Sequence, residues 1–459
     1  MFIEETIAAV VTPLGEGGVA IIRVSGSEAI RVAEPLFRGR RPLSGLKSHT
    51  LAYGHVVDPE SGAVIDEALV AVMRAPRSFT REDVVEIHVH GGVLVAKTVL
   101  SLVLRQGARL AEPGEFTLRA FLNGRIDLAQ AEATIDVIRA KSEAALKAGA
   151  RALQGAFGAQ VRALKAGLLR LTAEIEVHID YPEHDAPEAT YVRIVEGLTD
   201  ARASLESLMR AAAQGSVLRD GVETAIVGLP NAGKSSLLNA MLRSERAIVT
   251  DVPGTTRDLI EAPFVLGGIP LLLVDTAGIR ETADVVEAIG VQRTREILER
   301  AALVLVVLDG SRPLTAEDAS LLHAVRGRTA VVVVNKADLE VTVREDDVRS
   351  LAPSLPIVFV SAKTRSGFEA LEAAVLSVLG FDAAARPETL VTANARHLEL
   401  IRRAHAALDE ALAAAREALP YDVILIDLRR ALGALGEILG EDVRDDVIKE
   451  IFANFCLGK

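Results

Sequence analysis

The chain has 459 residues, which is too long for one ordinary core and predicts roughly three domains. Hydrophobic residues make up 50% and charged residues 25%, a globular balance that excludes a largely disordered chain. The net charge of −12 argues against non-specific nucleic-acid binding, so any RNA contact requires a local basic patch or a partner protein.

The cysteine content and the length of the apolar runs indicate in which cellular compartment the protein is expected. The single cysteine, Cys456, excludes an intramolecular disulfide and fits a reducing environment. The start of the chain, Met1–Glu5, lacks the basic and then apolar pattern of a signal peptide. The longest apolar runs, 301–308 and 329–334, are too short to span a bilayer and are typical of buried parallel strands. We therefore expect a cytoplasmic protein without a membrane span.

The first 120 residues alternate strand-like runs with Gly and Pro turns. The clearest strands are residues 19–24 (VAIIRV), 68–72 (ALVAV) and 84–89 (VVEIHV). A helical pattern over residues 93–104 follows the last of them. These features predict a compact α+β domain.

From about residue 127 the apolar period becomes helical. One face of a helix is marked by Val161, Leu164, Leu168, Leu171 and Ile175, and a second by Val195, Leu198, Leu205 and Leu208. An acidic loop, residues 180–187, separates the two. The helical period resumes near the C-terminus with Leu425, Leu428, Leu432, Leu435 and Leu439.

Residues 220–380 alternate strand and helix patterns, as in a doubly wound α/β domain that interrupts the helical region. Each helical half must bury an apolar face, so the simplest packing joins the halves into one helical domain. We therefore predict a multidomain fold with an α+β N-terminal domain (1–120), an α-helical domain in two parts (121–217 and 381–459) and an inserted Ras-like α/β P-loop G domain (218–380).

A phosphate-binding motif opens the inserted domain. The strand Thr224–Val227 runs into residues 228–235 (GLPNAGKS), which match G-x-x-x-x-G-K-[ST] in the required strand–loop–helix context. Backbone N–H groups of the loop, including those of Ala232 and Gly233, can surround a phosphate. Lys234 is predicted to reach the outer phosphates, Ser235 to hold Mg²⁺ and Ser236 to line the nucleotide.

Three further elements follow in the order expected of a GTPase. Residues 254–258 (GTTRD) provide Thr256 as a second Mg²⁺ ligand, and Thr250 and Thr255 are predicted to contact the nucleotide. Residues 275–278 provide Asp275, Thr276, Ala277 and Gly278 for the metal shell and γ-phosphate. Guanine recognition is predicted for Asn335, Lys336 and Asp338, completed by Ser361, Ala362 and Lys363. A carboxylate can accept both guanine N1–H and N2–H₂, a donor pair that adenine lacks.

The hydrolytic machinery departs from the Ras pattern. The position that carries a water-orienting glutamine in Ras-like enzymes is Ile279 here. Other groups must therefore neutralise charge and activate water. The candidates are the cations Arg257 and Arg280, a monovalent ion near Asn231, and the carboxylates Glu281 and Glu287.

The whole chain resembles the tRNA-modification GTPase family TrmE, also called MnmE. The resemblance rests on a set of motifs: residues 6–9 (TIAA), 12–13 (TP), 17–26 (GGVAIIRVSG), 78–80 (SFT), 82–83 (ED), 90–92 (HGG), 113–116 (PGEF), 119–123 (RAFLN), 127–132 (DLAQAE) and 456–459 (CLGK). It implies a homodimer built on the N-terminal domains and a FAD-dependent partner subunit of the GidA/MnmG type. Such proteins together install an aminomethyl or carboxymethylaminomethyl group on carbon 5 of the tRNA wobble uridine.

The resemblance also implies cofactors and their ligands. A 5-formyl-tetrahydrofolate site is expected at Arg23, Glu86, Arg125 and Lys459; position 125 is often Lys in relatives, and Arg keeps the charge with a different geometry. A K⁺ ion is expected at Asn231 and the loop residues Thr250, Val252 and Thr255. Catalytic roles are expected for Glu287, Lys234, Arg257 and Cys456.

Two local alternatives stay open. Glu86, His88 and His90 alternate and share one strand face, so a metal site is conceivable, although His90 before Gly91-Gly92 fits a turn or pocket residue better. Cys456 is either a small residue that packs the tail or a functional thiol near the folate.

Rival functions are a ribosome-assembly or regulatory GTPase and a folate-dependent one-carbon transferase with a vestigial G domain. The first usually carries an RNA-binding module, and the sequence offers no GXXG-type KH loop and no basic tail after residue 380. The second conflicts with four intact nucleotide elements.

Overall fold

The computed structural model describes residues 5–180, 187–242, 264–274, 298–381, 390, 392–456 and 458–459. The chain forms two compact units, residues 1–135 with 436–459 and residues 136–435. None of the described helices is long and apolar enough to cross a membrane.

The first unit is built on a seven-stranded sheet of order β3-β4-β5-β6-β2-β1-β7, in which only β1 and β7 are parallel. Its strands are β1 (Ile7–Val10), β2 (Gly17–Ser25), β3 (Phe37–Gly39), β4 (Thr50–Val57), β5 (Val64–Met73), β6 (Val84–Gly91) and β7 (Arg109–Leu110). The predicted strands at 19–24, 68–72 and 84–89 are therefore confirmed within β2, β5 and β6.

The two faces of this sheet differ. One face packs against α1 (Ala29–Ala33) and α2 (Val93–Arg105) through alternate residues such as Ile22, Val70 and Ile87, which confirms the helix predicted at 93–104. The other face is covered beside β1 by α3 (Glu115–Leu122), where Phe116 packs on Ile7 and Ala9. Over β4 and β5 the same face carries exposed apolar side chains.

The C-terminal tail belongs to this unit. Helix α14 (Asp445–Ala453) packs through Phe452 on Leu128 and Ala131 of α4 (Leu128–Arg139). The tail then reaches β1, where a Cβ on Gly458 would lie 2.7 Å from the carbonyl oxygen of Val10. Gly458 also has φ +89°, so glycine is required for this approach.

The α/β part of the second unit has a six-stranded sheet of order β13-β12-β11-β8-β10-β9, parallel except for the β9–β10 hairpin. Its strands are β8 (Val222–Val227), β9 (Phe264–Leu266), β10 (Ile269–Leu273), β11 (Leu303–Asp309), β12 (Ala330–Asn335) and β13 (Ile357–Phe359). Its described helices of seven or more residues are α8 (Lys234–Leu242), α9 (Ala316–Ala324), α10 (Glu345–Leu351) and α11 (Phe368–Val378).

This sheet has a separate apolar core on each face, as a doubly wound fold requires. The buried strands β11 and β12 confirm the predicted parallel strands at 301–308 and 329–334. The strand order reverses at β8, so the carboxyl end of β8 is the topological switch point where such folds bind ligands.

The helical part of the second unit contains α5 (Glu143–Leu153), α6 (Ala156–Asp180), α7 (Pro187–Asp220), α12 (Ala395–Arg416) and α13 (Tyr421–Leu439). Helices α6 and α12 both pack against α7. The leucines predicted to line α13 are all buried, which confirms that helix face. The predicted acidic loop at 180–187 falls mostly outside the described residues.

Candidate functional site

The phosphate-binding loop leaves the switch point of the second unit. Strand β8 ends at Val227, and α8 begins at Lys234. Between them Asn231 and Gly233 have φ of +63° and +93°, a left-handed backbone that turns successive N–H groups inward to form an anion-binding nest. A Cβ on Gly233 would lie 2.2 Å from Nδ2 of Asn335, so only glycine fits.

Lys234 points back across this loop. Its Nζ donates to the carbonyl oxygens of Gly228 at 2.8 Å and Leu229 at 2.9 Å. Burial lowers the pKa of Lys234, because an ammonium group loses hydration there. An anion bound in the nest would stabilise the charged ammonium group of Lys234 by electrostatic attraction. Ser235 and Ser236 follow in the exposed first turn of α8.

The predicted base-recognition residues converge on the same loop. Asn335 is buried at the end of β12; its Nδ2 donates to Ala232 O at 3.1 Å, and its Oδ1 accepts from Ala362 N at 3.1 Å. Ser361 Oγ donates to Asp338 at 2.6 Å. That hydrogen bond, with the nearby charge of Lys363, lowers the pKa of the Asp338 carboxyl. An ionised Asp338 suits a guanine N–H pair.

One residue of this cluster was not predicted from the sequence. Asp309 ends β11 and pairs in register with Asn335 on β12. Its carboxylate lies 2.6 Å from Nζ of Lys336 and also accepts from the backbone and side chain of Ser311. Asp309 therefore anchors the loop that carries the base-recognition residues. The sequence did contain a signal for Asp309, because it is a carboxylate at the end of the apolar strand that precedes the strand of Asn335.

Some predicted nucleotide and cation residues lie outside the described residues. They are Thr250, Val252, Thr255, Thr256, Arg257, Asp275, Thr276, Ala277, Gly278, Ile279, Arg280, Glu281 and Glu287.

The four predicted folate residues converge in the first unit. Arg23 on β2 lies opposite Glu86 on β6, with Nε 2.8 Å from a Glu86 carboxylate oxygen. The Arg23 guanidinium carbon is 5.5 Å from the ring centre of Phe116 and 6.0 Å from that of Phe79, within cation–π range. His88 Nε2 lies 3.5 Å from the other Glu86 oxygen.

Arg125 and the tail complete this pocket. The Arg125 guanidinium carbon lies 4.9 Å from the Phe79 ring centre, and its Nη1 donates to Phe79 O at 2.9 Å. Burial and, second, the charge of Arg81 lower the Arg125 pKa. The carbonyl oxygen of Lys459 accepts from Phe116 N at 3.2 Å. The pocket therefore combines two aromatic rings, of which that of Phe79 is partly exposed and that of Phe116 is buried, with cations and a carboxylate.

The aromatic residues Phe79 and Phe116 were quoted within motifs but not predicted as site residues. Below them, Arg119 is almost completely buried and pairs with Glu82 at 3.1 Å and Glu115 at 3.0 Å. This network ties α3 to the loop that carries Phe79. Cys456 is exposed, and its carbonyl accepts from Lys459 N at 3.3 Å.

The histidines on β6 do not form a metal site with their described neighbours. His90 Nδ1 lies 2.7 Å from Asp66, and this hydrogen bond raises the His90 pKa above its ordinary 6.5. Within the described ranges, no group of three His, Cys, Asp or Glu side chains is arranged to hold a metal ion. His90 lies within β6, and its side chain is 71% exposed.

The nest, its lysine and the base-recognition loop on a doubly wound sheet define a P-loop G domain, joined to an α+β unit with a charged aromatic pocket. Two family models match the chain, "GTP-binding protein TrmE N-terminus" over residues 6–125 and "MnmE helical domain" over residues 128–456. Two curated relatives, both called tRNA modification GTPase MnmE, are similar over their whole length. The relative from Bacillus subtilis (strain 168) is 47% identical over 99% of this chain and 100% of its own. The relative from Geobacillus kaustophilus (strain HTA426) is 49% identical over 99% of each chain.

The chain belongs to the MnmE family of tRNA modification GTPases. The family, the fold class and the GTPase enzyme class predicted from the sequence are thereby confirmed. Among solved structures, the G domain of the T. maritima FeoB iron transporter matches with 24% identity and a TM-score of 0.26, covering 34% of this chain and 98% of that one. At that score the likeness adds nothing to the strand order described above.

Proposed function

We propose that this chain hydrolyses GTP within a tRNA-modifying complex and acts with a FAD-binding partner of the GidA/MnmG type. The complex would add an aminomethyl or carboxymethylaminomethyl group at C5 of the wobble uridine. In this proposal GTP hydrolysis drives domain motion and does not itself form the modification. The observation that carries the proposal is the pocket of the first unit, because a GTPase without a second substrate has no use for it.

Guanine nucleotides suit the second unit. The nest at Asn231–Gly233 and Lys234 would hold the phosphates, and Asp338 would accept from the base. Mg²⁺ would be held by Ser235 and Thr256. K⁺, supported by the side chain of Asn231 and carbonyls from the loop of Thr250, Val252 and Thr255, would neutralise charge between the β- and γ-phosphates. Glu287 would orient water, with Arg257 as the alternative cation.

A one-carbon folate fits the residues of the first unit. Phe79, which is partly exposed, offers a face for a flat ring, while Glu86 offers acceptors for the N–H pair of a pterin. Arg23, Arg125 and Lys459 supply positive charge for a glutamate tail. When bound, the folate would supply the one-carbon unit of the modification, and the exposed thiol of Cys456 lies on the tail that ends beside this pocket.

A second copy of the chain is the proposed partner of the first unit. The open sheet face over β4 and β5 carries Leu51, Tyr53 and Leu69, which are 61%, 61% and 43% exposed. Tyr53 and Leu69 are cross-strand neighbours, and Leu69 pairs with His88 beside the pocket. Exposed apolar area of this kind is typical of protein interfaces, so homodimerisation on this face would also cover the pocket.

Calorimetry of 5-formyl-tetrahydrofolate binding to the full-length chain tests the folate assignment. Arg23→Ala should weaken binding about tenfold to a hundredfold, because a hydrogen bond to a charged group contributes about 1.5–3 kcal/mol. GTP hydrolysis should be nearly unchanged, because Arg23 belongs to the other unit. Arg105→Ala, which removes an arginine paired with Glu60, is the matched control. Equal folate affinity in wild type and Arg23→Ala would remove Arg23 from the site.

A further inference from the structure

A basic edge stands out in the first unit of this acidic chain. Residues 35–57 contain four arginines and lysines and no Asp or Glu, whereas the whole chain has a net charge of −12. With Arg77 from the loop before β6, these side chains form a set of five exposed cations that we call the basic edge: Arg38, Arg40, Arg41, Lys47 and Arg77.

The fold brings these cations toward one end of the sheet, except Arg38, which lies on β3 opposite His55, five residues along β4 from Thr50. The segment 40–49 returns to the sheet where His49 N donates to Val72 O at 2.7 Å, next to the end of β5. Arg74 fixes the segment, since its Nη2 donates to the carbonyl oxygens of Ser44 at 2.7 Å and Leu46 at 3.3 Å. The loop that carries Arg77 leaves β5 at this same end.

The cations of the basic edge form no ion pairs with described carboxylates. None of the five pairs with a carboxylate in the part of the chain that the structure describes. Other arginines of this unit do pair, such as Arg31 with Glu28 and Arg105 with Glu60.

Two carboxylates contact the segments that carry these cations, and both accept from backbone N–H groups. Glu34 accepts from Leu43 N at 2.8 Å and Ser44 N at 2.7 Å, and Asp83 accepts from Ala75 N at 2.8 Å. The five cations outnumber these two carboxylates. The basic edge therefore keeps a net positive charge that attracts anions.

The basic edge and the aromatic pocket lie toward the same end of the sheet. The Arg23–Glu86 pair lies two residues from the Ser25–Val84 pair, which is the last of that ladder, a distance of about 7 Å along the strand. Arg77 is two residues from Phe79, whose carbonyl holds Arg125. Positive charge thus continues from the sheet edge to the pocket.

We propose that the basic edge binds the phosphate backbone of the tRNA and guides the wobble nucleotide toward the aromatic pocket. The inference rests on the proposed function in tRNA modification. Four of the five cations are arginines, whose planar guanidinium groups bind phosphate bidentately. An acidic protein surface could meet the same charge, but only a tRNA also presents the uridine that would react with a folate bound in the pocket.

Salt dependence of tRNA binding tests the assignment. The probe is an unmodified tRNA transcript with a wobble uridine, titrated into the full-length chain by fluorescence anisotropy between 50 and 200 mM KCl. For a single-stranded loop each phosphate contact contributes about 0.7 to the slope of log K against log salt. The triple change Arg40→Gln, Arg41→Gln and Lys47→Gln should lower that slope by about two and weaken binding at 100 mM KCl roughly tenfold.

The matched control removes three exposed arginines from helices of the second unit, Arg170→Gln, Arg210→Gln and Arg416→Gln, with the same change in net charge. This control should keep the wild-type slope, and both variants should hydrolyse GTP at the wild-type rate if they are folded. Equal slopes for the two triple variants, or no binding of the transcript by wild type at 50 mM KCl, would overturn the proposal. If the edge variant bound tRNA as wild type does but no longer bound the flavoprotein partner, the basic edge would be assigned to an acidic protein instead.

Failure of the proposed function gives a different result. Normal tRNA nucleosides in a strain that lacks the chain would contradict the modification role, while the salt slopes would still report whether the basic edge binds RNA.

Discussion

Asn335 is predicted to tie the phosphate loop to the base-recognition loop, and Asn335→Asp tests that tie. The side chain is 2% exposed and bridges Ala232 O and Ala362 N, each at 3.1 Å. The substitution keeps the size of the side chain and the acceptor for Ala362. It replaces the donor to Ala232 with an oxygen, so two oxygens face each other in a buried site.

The magnitude follows from these contacts. Losing a neutral hydrogen bond costs about 1 kcal/mol, and leaving the buried Ala232 carbonyl unsatisfied costs about 1 kcal/mol more at the low end of its range. The free loop can relax, but the nucleotide-bound loop cannot, so the loss should appear in binding. A loss of about 2 kcal/mol corresponds to roughly thirtyfold weaker GDP affinity.

Fluorescence titration with a labelled GDP measures this effect on the full-length protein. Asn454→Asp is the matched control, because it makes the same chemical change at an exposed position of the other unit. The control should bind GDP as wild type does. If Asn335→Asp also binds GDP within twofold of wild type, the hydrogen bonds of Asn335 do not set the geometry of the phosphate loop, and the reasoning is refuted.

Three further predictions concern single side chains. Asp338→Asn exchanges an acceptor for a donor and should shift preference from guanine to xanthine nucleotides, measured by competition between GDP and XDP; unchanged guanine preference would exclude Asp338 from base recognition. Asn231→Ala should abolish faster GTP turnover in K⁺ than in Na⁺ at matched ionic strength, because a cation held at that position replaces an arginine finger; a wild-type enzyme with equal rates in both salts would reject the cation mechanism. His90 should titrate above its ordinary pKa of 6.5 in an NMR titration and return toward it in Asp66→Asn. Because the folded-state pKa is raised, the stabilisation by this ion pair is fully present below pH 6.5 and is lost as the pH rises through that pKa; a His90 pKa that is the same in both proteins would contradict the pairing.

The sequence predicts those elements whose burial follows a simple period. Strands β5 and β6 alternate between a covered and an open face, and β11 and β12 are buried on both faces, so their apolar patterns are readable. Strand β4 is not singled out, because Leu51 and Tyr53 are exposed yet apolar. Their side chains blur the alternation that would identify a strand.

The candidate sites are predicted only as far as their motifs extend. The nucleotide residues are separated by about a hundred positions, but each follows a strand of one parallel sheet, so their convergence is foreseeable. Phe79 and Phe116 are not, because an aromatic residue in a motif is indistinguishable from a core residue until Arg23 is seen beside both rings. The basic edge likewise depends on Arg74 holding a distant segment.

The role in tRNA modification is tested most directly by nucleoside analysis of tRNA from a strain that lacks this chain, complemented with wild type or Lys234→Ala. The account predicts that the C5 substituent of the wobble uridine disappears in the deletion strain, returns with wild type and does not return with Lys234→Ala. If Lys234→Ala restored the C5 substituent, the modification would not depend on the nucleotide site. Normal wobble nucleosides in the deletion strain, with altered ribosome profiles, would contradict the account and favour a ribosome-assembly GTPase.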